Sequence, residues 1–345
     1  MKHPCVLTLL LALVPFRPAF AADPLERPPI VGLSHMALYV HDLEKSRAFY
    51  KDFLGFAEPY SLTNKDGTLH LTWIKINDHQ TIELFPETEA GSDRLNHVAL
   101  ETTDAEALRL YLAAHGVVVP DKTAKGKIGN KNYTIKDPDG HTVEIVQYEP
   151  DGWTMLNKGK FMPDTRLSTH IPHMGILVGD LAASQKFYGD ILGFKEIWRG
   201  TRTTNQLNWV HEQVPDGQDF LELMLYSELP APDKRGGAHH FCLETSDIEK
   251  TKTILTERAA KINYTRPLQI QTSINRKRQL NIYDPDGTRV EFMEPNTVDG
   301  VPSPSSTAPP PHPAITIKPK KALSAIGCWL CSVEIFFRRE ATSGY

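Results

Sequence analysis

The sequence predicts an α+β protein made of four strand–helix–three-strand units, arranged as two tandem copies of a double unit. Three observations lead there. The octapeptide "FYKDFLGF" at Phe49–Phe56 returns as "FYGDILGF" at Phe187–Phe194. Further pairs keep the same order: "LSHMALYV" with "IPHMGILV", "NHVALETTD" with "HHFCLETSD", and "IKDPDGHTVEI" with "NIYDPDGTRVEF". Within each copy, acidic residues and glycines punctuate short helical runs set between alternating β-rich pieces.

Taken in chain order, the first residues stand apart. Lys2 and His3 precede the apolar run "CVLTLLLALVPF", and "AFA" at Ala19–Ala21 offers a peptidase site, the grammar of a secretory signal peptide over residues 1–21. About a dozen apolar residues fall short of the roughly 20 a membrane span needs, and Pro15 and Pro18 interrupt them. The expectation is a periplasmic or secreted protein with no membrane span after cleavage. Cys5 would leave with the leader, and Cys242, Cys328 and Cys331 are too few for a disulfide framework.

The first copy occupies residues 31–150 and the second 168–296. In each unit an alternating strand such as "HMALYV" runs into an acidic N-cap, a helix and a stop. Asp42 and Gly55 frame the first helix, Asp104 and Gly116 the second, and Asp180 and Gly193 the third; Asp247 opens the fourth, which lacks a closing glycine. The octapeptide reads as scaffold, with Phe49, Phe53 and Phe56 at helical or cap spacing and Gly55 taking the left-handed position that stops the helix. The two "DPDG" stretches, Asp137–Gly140 and Asp284–Gly287, read as turns before the last strand of each copy.

Residues 297–320, rich in Pro and Ser, read as an extended linker whose removal leaves the copies intact, and residues 321–345 form a tail of no assigned role. The tail's Cys328 and Cys331 make a lone CxxC, weak support for zinc.

Composition narrows the function. The 345 residues are 40% apolar and 23% charged, with a formal charge of −4. No basic excess exists to neutralise a row of phosphates, so nucleic acid is excluded as a partner. What remains conspicuous is a polar set repeated in strands: His35 with His173, Glu83 with Glu222, His97 with His240, and Glu144 with Glu291. Alternation places His35, Ala37 and Tyr39 on one face and His97, Ala99 and Glu101 on one face. A single strand histidine is ordinarily a core residue. Two His and two Glu at matching positions in both copies are another matter, because buried Glu is costly unless paired or bound to metal. Imidazole with carboxylate suits Fe2+, Mn2+, Ni2+ or Zn2+.

On these residues, and over about residues 31–295, the chain resembles the vicinal oxygen chelate (VOC) superfamily, which groups glyoxalases, bleomycin-resistance proteins and extradiol dioxygenases. The resemblance implies two VOC domains of paired βαβββ modules around cupped sheets. It also implies metal ligands at His35, His97 and Glu144 in the first copy and His173, His240 and Glu291 in the second. Glyoxalase-type members add a glutamate at the positions of Glu83 and Glu222. Any of Glu83, Glu144, Glu222 and Glu291 could serve as a general base.

The reaction most in keeping with four ligands is glyoxalase-like lyase or isomerase chemistry on a small substrate with vicinal oxygens. A ring-cleaving dioxygenase and a non-catalytic small-molecule binder are the alternatives. Subfamily marks are mixed. Where a glyoxalase places an arginine for glutathione this chain has Tyr39 and Leu177, and the tyrosine of a dioxygenase is displaced by one to Tyr133, with Asn281 in the second copy. The chain is expected to work as a monomer or homodimer. Ligands can be shared within each copy or exchanged between copies; Glu83 and Glu222, present in both, favour exchange.

Overall fold

The computed structural model describes residues 25–203 and 205–311. The leader, the end of the linker and the tail with its CxxC lie outside the described residues.

Among the described residues, sixteen strands form two eight-stranded sheets. The first copy supplies β1 (Ile30–Val40), β2 (Ala57–Thr63), β3 (Leu69–Lys75), β4 (Thr81–Pro86), β5 (Leu95–Thr102), β6 (Ala124–Lys125), β7 (Lys131–Lys136) and β8 (Thr142–Gln147). Their spatial order is β2-β3-β4-β1-β5-β8-β7-β6. The second copy supplies β9 (His173–Val178), β10 (Lys195–Gly200), β11 (Trp209–Gln213), β12 (Phe220–Leu225), β13 (His240–Glu244), β14 (Ile270–Thr272), β15 (Lys277–Tyr283) and β16 (Arg289–Thr297). The order repeats as β10-β11-β12-β9-β13-β16-β15-β14. Each sheet is two four-stranded modules joined where the first strand of one pairs antiparallel with the first strand of the next, β1 with β5 and β9 with β13. Leu62 of β2 and Asn132 of β7, near opposite ends of the first sheet, line one cavity, so the sheet curls into a cup.

Helices α1 (Leu43–Arg47), α2 (Ala105–Ala114), α4 (Leu181–Ser184) and α5 (Ile248–Ala259) belong to the four modules, and the short α3 (Trp153–Leu156) lies between the copies. All four expected caps form: the carboxylates of Asp42, Asp104, Asp180 and Asp247 accept from the backbone N–H three residues on. The fourth helix, without a glycine, ends at Asn263 in the left-handed region (φ 55°), a conformation asparagine tolerates better than most residues.

The octapeptides depart from a plain α-helix. Ala48–Phe53 and Gln185–Ile191 wind as π-helix, with Leu54 N–H donating to Phe49 O and Leu192 N–H to Phe187 O. The wide turn buries neighbours that a 3.6-residue period sends about 100° apart, so Phe49 and Tyr50 both leave solvent. Gly55 (φ 82°) and Gly193 (φ 80°) stop the runs as expected. An added Cβ at Gly55 would meet Thr165 O at 2.0 Å, so the turn is also packed against the segment that joins the copies.

The copies interlock through these segments. Tyr50 of the first octapeptide donates to Asp284 of the second "DPDG" turn (3.1 Å), and Tyr188 of the second octapeptide donates to Asp137 of the first (3.0 Å). Gln80 bridges both ways to the backbone of Ile171, and Asp219 accepts from Leu33 N–H.

The expectation of a free linker after residue 296 requires correction. Ser306 N–H donates to Arg199 O, Leu207 N–H to Pro309 O and Trp198 Nε1–H to Pro304 O. Proline lacks an N–H but keeps its carbonyl. The segment through Pro311 therefore lies as a strap along β10 and the loop after it.

Candidate metal centre

Strand register builds the first cluster. His35 and Ala37 of β1 lie beside Thr81 and Glu83 of β4 and opposite Ala99 and His97 of β5, while Ala99 lies beside Glu144 of β8. All share the concave face. His35 Nε2 stands 2.8 Å from His97 Nε2 and 2.9 Å from Glu144 Oε2, which is 3.0 Å from His97 Nε2. Glu83 stands further off, at 3.6 Å from His35 and 3.8 Å from His97.

A hydrogen-bond chain orients the first imidazole. Tyr148 donates to His79 O (2.6 Å), Ser34 donates to Tyr148 Oη (2.6 Å), and His35 Nδ1–H donates to Ser34 Oγ (3.0 Å). This assignment leaves the Nε2 lone pair facing the cup. His97 Nδ1–H likewise donates to Asn96 Oδ1 (2.9 Å). The carboxylates are steered by neutral donors: Asn132 Nδ2 holds Glu144 Oε1 (2.6 Å), and Trp73 Nε1 holds Glu83 Oε1. Two imidazole lone pairs and two carboxylates thus converge with no cationic side chain among them; the nearby Lys75 ammonium is taken by Asp78 and Asn157 O. Burial opposes charging of His35, yet Glu83 and Glu144 outweigh it and raise its pKa. Burial likewise opposes ionisation of Glu144, but the His35 and His97 imidazoles beside it, once protonated at Nε2, hold its carboxyl well below the usual range. The field that draws a proton to His35 also draws a cation, so the donor set fits a divalent metal, with outer partners that fix ring orientation.

A cavity of about 190 Å³ opens over this cluster. Its walls include the aromatic rings of Trp73, Phe85, Tyr148 and Trp153.

The second copy brings its four residues together as well, without the same surroundings. His173, His240 and Glu291 converge: Glu291 Oε2 is 3.8 Å from His173 Nε2 and 3.6 Å from His240 Nε2, and Glu222 Oε2 is 3.2 Å from the latter. His211, opposite Glu222 across the β11–β12 pair, takes Glu222 Oε1 at 3.0 Å. Arg289, beside His240 in register, puts Nη2 within 2.7 Å of its Nδ1 and 3.0 Å of its Nε2. Burial lowers the pKa of His173 strongly and that of His240, the latter aided by Arg289. Burial lifts Glu291 to about 7.

Ligands are therefore grouped within copies, and the exchanged arrangement favoured by the sequence does not form. What crosses between the copies is the octapeptide, while β1 stays paired with its own β4 and β5. Tyr133 sits in β7 opposite Ile145, facing away from the cup, and Asn132 faces in instead. Sequence reasoning missed Trp73, Asn132, Ser34 and Tyr148, whose roles depend on strand register. It also missed Arg289, whose place two residues before Glu291 put it on the same face.

Fold and site together define a tandem protein with a buried His–Glu centre in a cupped sheet. The chain belongs to the Glyoxalase/Bleomycin resistance protein/Dioxygenase superfamily, whose family model matches residues 32–145 and 170–292. Among curated proteins it is 34% identical over 131 residues to the "Uncharacterized protein YwbC" of Bacillus subtilis (strain 168), covering 37% of this chain and 99% of that protein. It is 26% identical over 121 residues to "Metallothiol transferase FosB" of Shouchella clausii (strain KSM-K16), covering 33% of this chain and 78% of that protein. Among solved structures, the 2,3-dioxygenase LapB from Pseudomonas sp. KL28 superposes with a TM-score of 0.60 at 16% identity, over 81% of this chain and 98% of that one. A variant of homoprotocatechuate 2,3-dioxygenase from B. fuscum gives 0.60 at 17% identity, over 83% and 77%. At such identities the structural likeness establishes the fold.

Proposed function

We propose that the chain is a divalent-metal-dependent enzyme whose working centre is the first cup, acting on a small substrate with two neighbouring oxygens by redox-neutral lyase or isomerase chemistry. The observation that carries this reading is the convergence of His35, His97, Glu144 and Glu83 beneath a cavity, with neither carboxylate in an ion pair with a lysine or arginine among the described residues.

His35, His97 and Glu144 would hold the ion. A divalent ion there supplies Lewis acidity toward substrate oxygens. Glu83 is the carboxylate that moves a proton: Trp73 fixes its Oε1, while Oε2 stands 3.8 Å from the nearest imidazole and is free to accept. Asn132 keeps Glu144 turned toward the histidines. The aromatic walls exclude water and accept a planar or apolar substrate body.

Ring cleavage is the second reading. The aromatic lining favours it, as does the fold shared with the dioxygenases; the outward turn of Tyr133 removes an acid–base group from it. The relative named as a metallothiol transferase adds thiol addition to the redox-neutral side. An oxygen electrode with catechols, run beside a proton-exchange assay on α-hydroxycarbonyl compounds, separates the readings. Oxygen uptake coupled to turnover would overturn the first.

The companion reading is export, supported by the order of charged, apolar and small residues over 1–21. Mass spectrometry of the mature protein tests it. An intact Met1 on cytoplasmic material would defeat it.

A further inference from the structure

The family resemblance implies a metal in each cup, but the two clusters differ in every group that surrounds the ligands. In the first, Ser34 precedes His35 and accepts its Nδ1–H. In the second, Pro172 precedes His173, no hydroxyl is supplied, and both ring nitrogens of His173 are buried without a hydrogen-bond partner. Asn96 orients His97, whereas His239 stands in that place before His240 and reaches to Asp93, and His240 Nδ1–H turns to the backbone carbonyl of Ala238 (2.9 Å).

The backbone under the second histidine differs too. Ala37 lies opposite His97, and Gly175 lies opposite His240. An added Cβ at Gly175 would fall 1.9 Å from His240 Cε1, so the His240 ring rests in space that the Ala37 methyl fills in the first copy. The ring has settled onto β9.

Positive charge is the decisive difference. Thr142 stands two residues before Glu144, and Arg289 stands two before Glu291. The Arg289 guanidinium lies against His240 on both ring nitrogens and 4.0 Å from Glu222 Oε2. Its Nη2 stands 3.0 Å from the Nε2 atom that would have to coordinate. A guanidinium cannot give up its charge, and a second cation beside it is repelled.

The side chains over the carboxylate differ as well. His211 replaces the indole of Trp73 in register and binds Glu222. Trp198 packs on His211 with ring centroids 4.6 Å apart, and the strap holds Trp198 through Pro304 O.

We propose that the second cup is a metal-free structural centre in which the Arg289 guanidinium stands in the place of the ion, so that the chain carries one metal, in the first cup. This rests on the first cup being the metal centre. The observed pattern is that of a site whose outer partners differ from those of the first cup and whose carboxylate Glu222 is faced by an internal cation. Such a network, with Glu222 held between His211 and His240 and a guanidinium beside it, meets an incoming ion with a fixed positive charge.

The test is a count of ions on the full chain. Chelator-stripped protein is titrated separately with Co2+, Mn2+ and Zn2+, freed of excess by gel filtration, and analysed by elemental and native mass spectrometry. Wild type is expected to hold one ion. His97→Ala should hold none, and His240→Ala should keep one. Arg289→Thr, which installs the residue of the first copy, should rise toward two.

Two ions on wild type, or loss of the ion in His240→Ala with retention in His97→Ala, overturns the inference. A folded Arg289→Thr that stays at one ion overturns the role given to Arg289. Should that variant fail to fold, the wild-type count and the two histidine variants still decide. A folded wild type that binds none overturns the proposed function and this inference together, a result distinct from the two-ion outcome, which overturns this inference alone.

Discussion

Tyr50 Oη lies 3.1 Å from Asp284 Oδ2, and both groups are buried where the first octapeptide meets the turn of the other copy. The mirrored pair, Tyr188 with Asp137, is not electrically equivalent. Asp137 also holds the His141 imidazole at 2.8 Å, whereas Thr288 stands at that place beside Asp284. Burial, with Asp286 adding repulsion, lifts the Asp284 carboxyl to about 7.

The first prediction follows from that lift. A carboxyl whose folded pKa exceeds its unfolded value takes up a proton on folding, so stability declines as pH rises from about 4 to about 7 and stays low above it. Asp284→Asn removes this dependence while leaving an acceptor for Tyr50. Its stability relative to wild type should improve between pH 5 and pH 8 by an amount on the order of 2 kcal/mol, well inside the full shift. Urea unfolding at the two pH values measures it; an unchanged difference would show that Asp284 is ionised throughout.

The two carboxylates of the first cup should separate in function. Glu144→Gln is expected to lose metal, with affinity falling beyond the roughly 10–100-fold that loss of an outer partner costs. Glu83→Gln should retain metal and lower kcat by about 10²–10⁴-fold, the usual range for a general base. Elemental analysis beside turnover numbers distinguishes them, and metal loss in Glu83→Gln would reassign Glu83 as a ligand.

Gly175→Ala should destabilise the second cup, because the new methyl enters the His240 ring. The expected cost is about 1–3 kcal/mol by analogy with overpacked cores. Metal content should not change. A neutral effect on thermal unfolding would mean the ring moves freely.

Ending the chain at Gly300 removes the strap and its bonds to Arg199, Trp198 and Leu207. A loss of about 1 kcal/mol corresponds to roughly 2 °C in Tm for a domain of this size. Ending it after Pro311 keeps those bonds. Calorimetry on the two truncations should show the drop only in the shorter one.

Much of the architecture was legible because it was written twice. Duplicated anchors gave the modules, acidic caps gave the helix starts, and alternation gave the faces of His35 and His97. The π-turns were hidden because the hydrophobic spacing of the octapeptide fits an ordinary helix end equally well. Grouping of ligands was misread because the presence of Glu83 and Glu222 in both copies is equally compatible with direct sheets. Trp73 and Asn132 were invisible without register, since nothing in "LHLTWIKI" tells which strand lies beside it. The strap was misjudged because prolines lack a donor but keep their carbonyls, and the serines between them still donate.

The reciprocal seating of Tyr50 and Tyr188 has a consequence for how such a chain could arise. The relative matched over 131 residues, at 99% of its own length, is the size of one copy. A half-length ancestor with one octapeptide and one "DPDG" turn could satisfy both only by pairing with a second molecule across a twofold axis. Fusion would then preserve the dyad inside one polypeptide, and joining the halves covalently would free one cup from the need to catalyse while its surface still served as the other's foundation.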